Sequence, residues 1–233
     1  MLMKIGGLGG GGSAVPGGIV SPSFTDPNDE NPYIWIDPSD LSTITDTANA
    51  VSQINDKSGH GLYAIDSPSP PLTGVDTINS LNALTFAGNG LRISGVALGF
   101  VDIFLVFNTS DIKYTPLLYG AAEYVMLLES GSGSSLVSKN AGSPSYYKNG
   151  VLQTATTRGD LHAAFYNQDV VALIRNADLS LWSYLNIYNH SSTGAEMDGL
   201  MGELIIIPAG KPDAAINNIG HYLERWGITW TDI

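Results

Sequence analysis

The sequence predicts an all-β protein: a two-sheet antiparallel jelly-roll sandwich with one short C-terminal helix and an extended N-terminal arm. From Pro32 onward, short apolar runs alternate with Gly, Pro and Asn turn signals, which is typical of a sandwich. The 233 residues are 43% hydrophobic and 14% charged, enough apolar material for one large domain. We therefore expect a sandwich domain over residues 32–233 and an arm over residues 1–31.

The N-terminal arm stands apart in composition, because residues 1–18 hold eight of the 27 glycines in the chain. Ordering a backbone costs about 1–2 kcal/mol per residue, and glycine is the most expensive residue to order. We therefore expect a partner to hold the arm, for example by adding it to a sheet edge. Packing of the arm on its own domain is the alternative. The expected docking residues are Met1, Leu2, Ile5, Leu8, Val15 and Ile19.

The first half of the domain contains five predicted strands. Residues 33–37 (YIWID) and 82–88 (NALTFAG) form two of them, and the two-residue period places Leu84 and Phe86 on one face of the second. Residues 101–110 (VDIFLVFNTS) are nearly continuous in apolar side chains, which indicates a deeply buried strand. The remaining two strands are predicted over 116–120 and 124–130.

The second half begins with the clearest hairpin, because Asn149-Gly150 in SYYKNGVLQTATT supplies the positive φ angles of a tight turn. Residues 170–191 predict two strands on either side of the turn-like NAD at 176–178. Residues 200–208 (LMGELIIIP) predict a late core strand that Pro208 closes.

One helix is predicted near the C-terminus, in KPDAAINNIGHYLERWG (211–227). Pro212 suits the first helical position, and Gly227 suits a left-handed C-terminal stop. Apolar residues recur every three to four positions, and we expect this stripe to pack on the edge of the sandwich. The stripe consists of Ile216, Ile219, Leu223 and Trp226.

Three segments, 34–44 (IWIDPSDLSTI), 51–61 (VSQINDKSGHG) and 202–228, together carry a family resemblance. They are similar to the concanavalin A-like lectin/glucanase sandwich, in the laminin-G-like form found in bacterial and phage surface proteins. Ile54 and His60 depart from the usual Trp and Asn of that pattern. The matching residues are Trp35, Asp37, Ser39, Asp40, Asn55, Asp56, Lys57, Ser58, Gly59, Gly61, Glu203, Tyr222, Leu223, Arg225, Trp226 and Gly227. The resemblance implies that these residues are structural, and it leaves activity open.

A Gly-rich leader placed before such a sandwich also resembles the layout of phage virion proteins. This implies a non-catalytic structural protein, either a capsid decoration or a tail-associated protein, that docks through its arm and forms homo-oligomers. Its partners would be other virion proteins or further copies of itself, and its location the virion, assembled in the host cytoplasm. The alternative is a carbohydrate-binding adhesion or receptor-binding module.

Charge and composition exclude several other classes of function. The formal net charge of −12 repels nucleic acid and anionic membranes, and no cluster of Lys or Arg offers a path for a phosphate backbone. The N-terminus has no apolar signal-peptide core, and no segment has the length of a membrane span. We expect a soluble protein without export signal, nucleic-acid partner or membrane partner. The absence of cysteine rules out disulfides.

Catalysis has one candidate motif, EMDGLMGE at 196–203, and we expect no enzyme and no catalytic residue. Glu196 and Asp198 resemble the first half of the Glu-x-Asp-x-(x)-Glu strand motif of glucanases on this fold. Glu203 lies seven residues after Glu196, so a regular strand would turn it to the opposite face. A glycan hydrolase is thus the third alternative. The chain has four histidines, and no two of them have the spacing of metal ligands. They are His60, His162, His190 and His221.

Two further kinds of ligand are weighed from local composition. DPNDEN (26–31) and INDKSGHG (54–61) could offer oxygen ligands to Ca²⁺, although neither has the register of a known calcium loop, so no cofactor is assigned. Asp and Asn in such loops usually bond their own turn backbone. A sugar could stack on exposed aromatic rings. The candidates are Tyr146, Tyr147, Tyr166, Tyr184 and Tyr188.

Overall fold

The computed structural model describes residues 26–66, 69–110, 114–121, 123–131, 136–154, 157–190, 195–196 and 198–233. Within these ranges the chain is mostly antiparallel strand, with two short α helices. The predicted all-β sandwich is confirmed. Most of the N-terminal arm lies outside the described residues, so its docking residues remain predictions: Met1, Leu2, Ile5, Leu8, Val15 and Ile19.

The described residues form seventeen strands and two α helices. The strands are β1 (Ile34–Ile36), β2 (Ile44–Thr47), β3 (Ala50–Asn55), β4 (Tyr63–Asp66), β5 (Leu72–Ile78), β6 (Leu81–Ala87), β7 (Leu91–Ser94), β8 (Phe100–Thr109), β9 (Tyr114–Gly120), β10 (Glu123–Glu129), β11 (Ser145–Lys148), β12 (Val151–Gln153), β13 (Val170–Asp178), β14 (Tyr184–Ile187), β15 (Asn189–His190), β16 (Ala195–Glu196) and β17 (Asp198–Pro208). The helices are α1 (Arg158–Phe165) and α2 (Asp213–Leu223). Short 3-10 helices cover Pro27–Glu30, Leu41–Thr43 and Glu224–Trp226.

The strands follow one hydrogen-bonded path, β10-β9-β14-β7-β4-β3-β5-β6-β17-β8-β13-β11-β12, which folds into two facing sheets. Strands β3 and β5 are joined by one residue pair, Ala50 with Leu72, and the path turns over at this point. We call β10 to β3 the first sheet and β5 to β12 the second sheet. Strand β2 extends the first sheet beside β3, and β1 lies beside β17 in the second.

The main core lies between the two sheets and is built by the alternation of each strand. Ile103, Leu105 and Phe107 of β8 point into it, as do Leu84 and Phe86 of β6, whose shared face was predicted. Residues Phe104 and Val106, which alternate with them, point the opposite way into a second apolar cluster.

Helix α2 covers the outer face of the second sheet. Its predicted apolar stripe is buried against Phe104, Val106, Ile205 and Ile207 of the central strands β8 and β17. The expectation that this helix packs on the sandwich edge is therefore wrong. The physical reason is that the central strands are apolar on both faces, so the outer face also has to be withdrawn from water.

Turn chemistry accounts for most remaining boundaries. The hairpin between β11 and β12 turns at Asn149 and Gly150, with φ of 52° and 85°, as predicted. The turn predicted at 176–178 is wrong, because these residues continue β13 through a bulge in which Asn176 has a φ of 61°. Helix α1 was not predicted; the Thr157 side chain caps it by accepting from the backbone N–H of Asp160.

Candidate functional site

The residues that carry the family resemblance converge on Glu203, between the second sheet and α2. Glu203 is 1% exposed and accepts three charge-assisted or indole hydrogen bonds. Trp35 Nε1 donates to Oε1 over 2.6 Å, while Trp226 Nε1 and Arg225 Nη2 donate to Oε2 over 2.7 and 2.6 Å. We call this set of contacts, with Asp37 and Lys57 described below, the Glu203 network.

A β-bulge in β17 aims Glu203 at the helix. The pairing with β8 shifts register between Met201 and Glu203, so Gly202 and Glu203 both face α2. A Cβ on Gly202 would lie 2.7 Å from Val106 Cγ1 and 3.1 Å from the Trp226 ring, so only glycine lets this indole approach. The bulge thus places two consecutive residues on one face, and regular alternation resumes at Leu204.

Two further charges extend the network towards the surface. Arg225 Nη2 also lies 2.9 Å from Asp37 Oδ1, and Lys57 Nζ lies 3.0 Å from both Asp37 Oδ2 and Asp40 Oδ2. The Lys57 ammonium sits 4.6 Å from the centre of the Trp35 ring. The carboxylates of Asp37 and Asp40 are thus each paired with a cationic side chain of the same chain.

The loop after β3 holds Trp35 in place from its backbone side. Asp56 Oδ1 accepts from the backbone N–H of Trp35 over 2.7 Å, and the Lys57 N–H donates to the Trp35 carbonyl over 2.8 Å. Gly59 turns the same loop with a φ of 87°. Asn55 matches the family pattern but stands apart from the network, since it accepts from Gln53 Nε2 on the opposite surface.

The C-terminal half of the motif closes the network from the helix. The Tyr222 ring meets the Trp35 ring edge-on, with 6.1 Å between centres, and Arg225 lies 4.8 Å from the centre of the Tyr222 ring. Gly227 ends the helical segment with a φ of 77°, next to Asn79, whose amide donates to the Arg225 carbonyl. The C-terminal segment is thereby tied to residues that precede it by more than a hundred positions.

Burial and charge set the protonation of the network. Burial works to raise the pKa of Asp37, but the Ser39 hydroxyl and the Arg225 and Lys57 charges together hold it below its usual value. Burial raises the pKa of Glu203, with Arg225 and the Trp226 donor opposing. Burial alone would lower the pKa of Arg225, and the Glu203 and Asp37 carboxylates raise it above its usual value.

The lowered pKa of Asp37 gives a pH-dependent prediction. Its stabilisation is present above the unfolded pKa near 3.8 and is lost as the pH falls through the lower folded value. Asp37→Asn is expected to cost about 1.5 kcal/mol of unfolding free energy at pH 7, and this difference from wild type should shrink below about pH 4. Chemical denaturation across pH measures it.

The matched control for that experiment is Asp66→Asn, which changes an exposed carboxylate that has no described partner. It should change the unfolding free energy by less than about 0.5 kcal/mol at every pH. A cost of Asp37→Asn that stays constant between pH 7 and pH 3 would show that its charge is not what stabilises the fold.

The glucanase-like acids are not gathered into one site within the described residues. Asp198 is exposed and lies beside Ala87, whereas Glu203 is buried under the helix, five residues and roughly 16 Å further along β17. The side chain of Glu196 lies outside the described residues. The opposite-face expectation for Glu203 and Glu196 is therefore untested.

A second candidate site lies on the solvent face of the first sheet. Strands β4, β7 and β14 are neighbours, and their register places Tyr63, Ser94 and Tyr184 side by side across the sheet. Ile65 and Arg92 form the next row. The small Ser94 is exposed between the two tyrosines, and a hollow of about 140 Å³ opens beside Arg92. We call this surface the Arg92 site.

The predicted sugar-stacking tyrosines divide into two groups. Tyr184 borders the Arg92 site, and Tyr147 and Tyr166 are partly buried elsewhere. Tyr146 and Tyr188 are buried in the main core, so their predicted exposure is wrong. Tyr146 is drawn inward because its hydroxyl donates to the Val125 carbonyl. Tyr63 and Arg92 were missed, although the alternation of Tyr63-Ala64-Ile65 and Leu91-Arg92-Ile93-Ser94 signals their outward direction.

An unpaired strand edge lies at the far end of the second sheet. No described strand pairs with the outer side of β12, where Val151 and Leu152 are about half exposed. An open, uncharged groove of about 520 Å³ runs beside it, and Leu136 in its lining is 67% exposed. Exposed apolar side chains on an unpaired edge are typical of a surface that another segment covers.

The described ranges hold no group of three or more His, Cys, Asp or Glu side chains that could bind a metal ion. Two acids of the loops considered for Ca²⁺ accept hydrogen bonds from the same chain: Asp26 from the Asn28 N–H, and Asp56 from the Trp35 and Ser58 N–H groups. Neither α1 nor α2, the helices of the described chain, has the length and apolar content to cross a bilayer.

Comparison with known proteins assigns no family, since no protein-family model and no curated protein matches the sequence.

Proposed function

We propose that this chain is a non-catalytic structural protein of a phage particle, a concanavalin A-like jelly roll that decorates the capsid or belongs to the tail. It docks through its N-terminal arm, on other virion proteins or on further copies of itself. The observation that carries the proposal is the unpaired edge of β12, with exposed Val151 and Leu152 beside an uncharged groove. An extended arm adds to such an edge through backbone hydrogen bonds.

One feature of the sequence supports an arm that differs from the folded body. Within residues 1–25, Lys4 is the only charged side chain, whereas the remainder holds all 22 acids and nine of the ten basic residues. The single positive charge within residues 1–25 is attracted to a strongly negative neighbour.

Deleting residues 1–18 is expected to abolish assembly while leaving the sandwich folded. Light scattering coupled to size exclusion should give a smaller mass than for the full chain, and thermal unfolding should change little. Leu152→Lys tests the receiving edge, because a charge there opposes strand addition. The control is Leu181→Lys, the same change at a leucine outside β12 that is 73% exposed, against 51% for Leu152. Normal incorporation of the deleted chain would refute docking through the arm.

The second candidate function is carbohydrate binding, and the Arg92 site favours it. Two tyrosines that flank an exposed serine form a shallow platform of the kind on which a pyranose ring stacks. A glycan array read with wild type and with Tyr63→Ala tests this function. Tyr63 is half exposed, so its loss should remove glycan binding without disturbing the core. Unchanged binding would place the glycan elsewhere.

A further inference from the structure

The Arg92 site contains a guanidinium that pairs with no carboxylate in the described part of the chain. Three of the four arginines of the chain pair with acids: Arg158 with Glu129, Arg175 with Asp213 and Arg225 with Glu203. Arg92 makes no ion pair with any described residue, in a chain with a large excess of acids. An isolated guanidinium in such a chain is left for a ligand or for water.

The surroundings of Arg92 fix its direction. Its Nε donates to Asn186 Oδ1 over 2.9 Å, and its guanidinium carbon lies 4.5 Å from the centre of the Tyr184 ring. These two contacts hold the plane of the guanidinium and leave its terminal nitrogens without a hydrogen bond to any described residue. A fork held in this way binds a carboxylate through two parallel hydrogen bonds.

Asn186 gives an independent indication of an unfinished site. It is fully buried, and its Nδ2 has no hydrogen-bond partner among the residues that the structure describes. Buried amide donors are rarely left unpaired, and an unpaired one calls for an explanation such as a bound group. Its oxygen accepts from Arg92 Nε, so the unpaired donor belongs to the side chain that orients the guanidinium.

The shape of the site limits the size of what binds. The hollow of about 140 Å³ is lined by Tyr63, Ile65, Arg92 and Ser94, among others, and is well below the volume of a typical drug-sized pocket. The rows place Tyr63 and Tyr184 two strand spacings apart across Ser94, roughly 10 Å. This spacing accepts one sugar ring lying over the serine.

From these observations we infer that the Arg92 site binds a carboxylate-bearing sugar, with its acid group on Arg92 and its ring between the two tyrosines. The inference rests on the carbohydrate-binding candidate function and names its ligand class. The attraction is local, because the net charge of the whole chain repels anions. Selectivity therefore comes from the guanidinium, which Asn186 and Tyr184 orient.

The test compares two oligosaccharides of equal length, one ending in glucuronic acid and one ending in glucose, by titration calorimetry. Wild type is expected to bind the acidic probe at least about tenfold more tightly than the neutral one. Arg92→Gln should remove this preference, and Arg92→Lys should restore only part of it, because an ammonium lacks the planar fork. Lys148→Gln is the control, since it removes one positive charge elsewhere, where the ammonium bonds Gln168 and no acid.

Each outcome separates the inference from the function on which it rests. Equal binding of both probes by wild type would overturn the acidic ligand and leave carbohydrate binding standing. Binding of neither probe would overturn the inference, and the glycan array with Tyr63→Ala would then decide carbohydrate binding by itself. Should Arg92→Gln fail to fold, Ser94→Phe fills the hollow from an exposed position and should abolish binding of the acidic probe. Retained binding in Ser94→Phe would also overturn the inference.

Discussion

Glu203→Ala is expected to lower the free energy of unfolding by about 3–5 kcal/mol, the cost of removing one partner from a buried ion pair. The change leaves the Arg225 guanidinium and the indole N–H groups of Trp35 and Trp226 without their acceptor under α2. Urea denaturation followed by tryptophan fluorescence measures the loss, since both indoles report on the site directly.

Glu203→Gln is the matched control for that prediction. The amide keeps the shape of the side chain and one acceptor oxygen but removes the charge that faces Arg225. Its cost should lie clearly below that of Glu203→Ala. A loss under about 1 kcal/mol for Glu203→Ala would contradict the view that this carboxylate cross-ties the fold.

Trp230→Ala is expected to lower the free energy of unfolding by about 3–5 kcal/mol as well. Trp230 is buried between the sheet and the helix, 6.0 Å from the ring of Phe104, and its Nε1 donates to Asn217. Its ring also rests directly on Gly220 of α2. A Cβ on Gly220 would lie 2.2 Å from Trp230 Cδ2 and Cε2.

For Gly220→Ala, helix propensity predicts stabilisation whereas packing against Trp230 predicts destabilisation. A double-mutant cycle separates the two effects. In an exposed helix Gly→Ala stabilises by about 0.5–1 kcal/mol, whereas here overpacking should cost about 1–3 kcal/mol. In the Trp230→Ala background the added methyl group fills vacated space, so Gly220→Ala should become neutral or stabilising. An unchanged cost in that background would mean that the indole is not the obstacle.

The fold class and the strongest elements were accessible from the sequence because they depend on local signals. Alternation predicted β6, the apolar run predicted β8, and Asn149-Gly150 predicted the hairpin. The polar exposed strands β2 and β5 escaped, because their side chains mostly face water and show no apolar period. Helix α1 escaped for a similar reason, since only one turn of it is buried.

The Glu203 network could likewise be predicted only in part, because some of its features depend on tertiary contacts. The motif residues were expected to be structural, and the structure brings Trp35, Asp37, Lys57 and Glu203 together, although they are up to 168 residues apart. The direction of Glu203 could not be read from its spacing, because a bulge at Gly202 breaks the two-residue period. The exposure of tyrosines depends on which face of a strand meets the core, which composition alone does not indicate.

The covering of the second sheet by α2 bears on how the chain is made in the cell. Strand β8 leaves the ribosome roughly a hundred residues before residues 213–230, so its outer face with Phe104 and Val106 has no cover during that interval. Transiently exposed apolar surface is prone to aggregate. The outer face of the second sheet is therefore protected only after α2 has been synthesised and has docked on it.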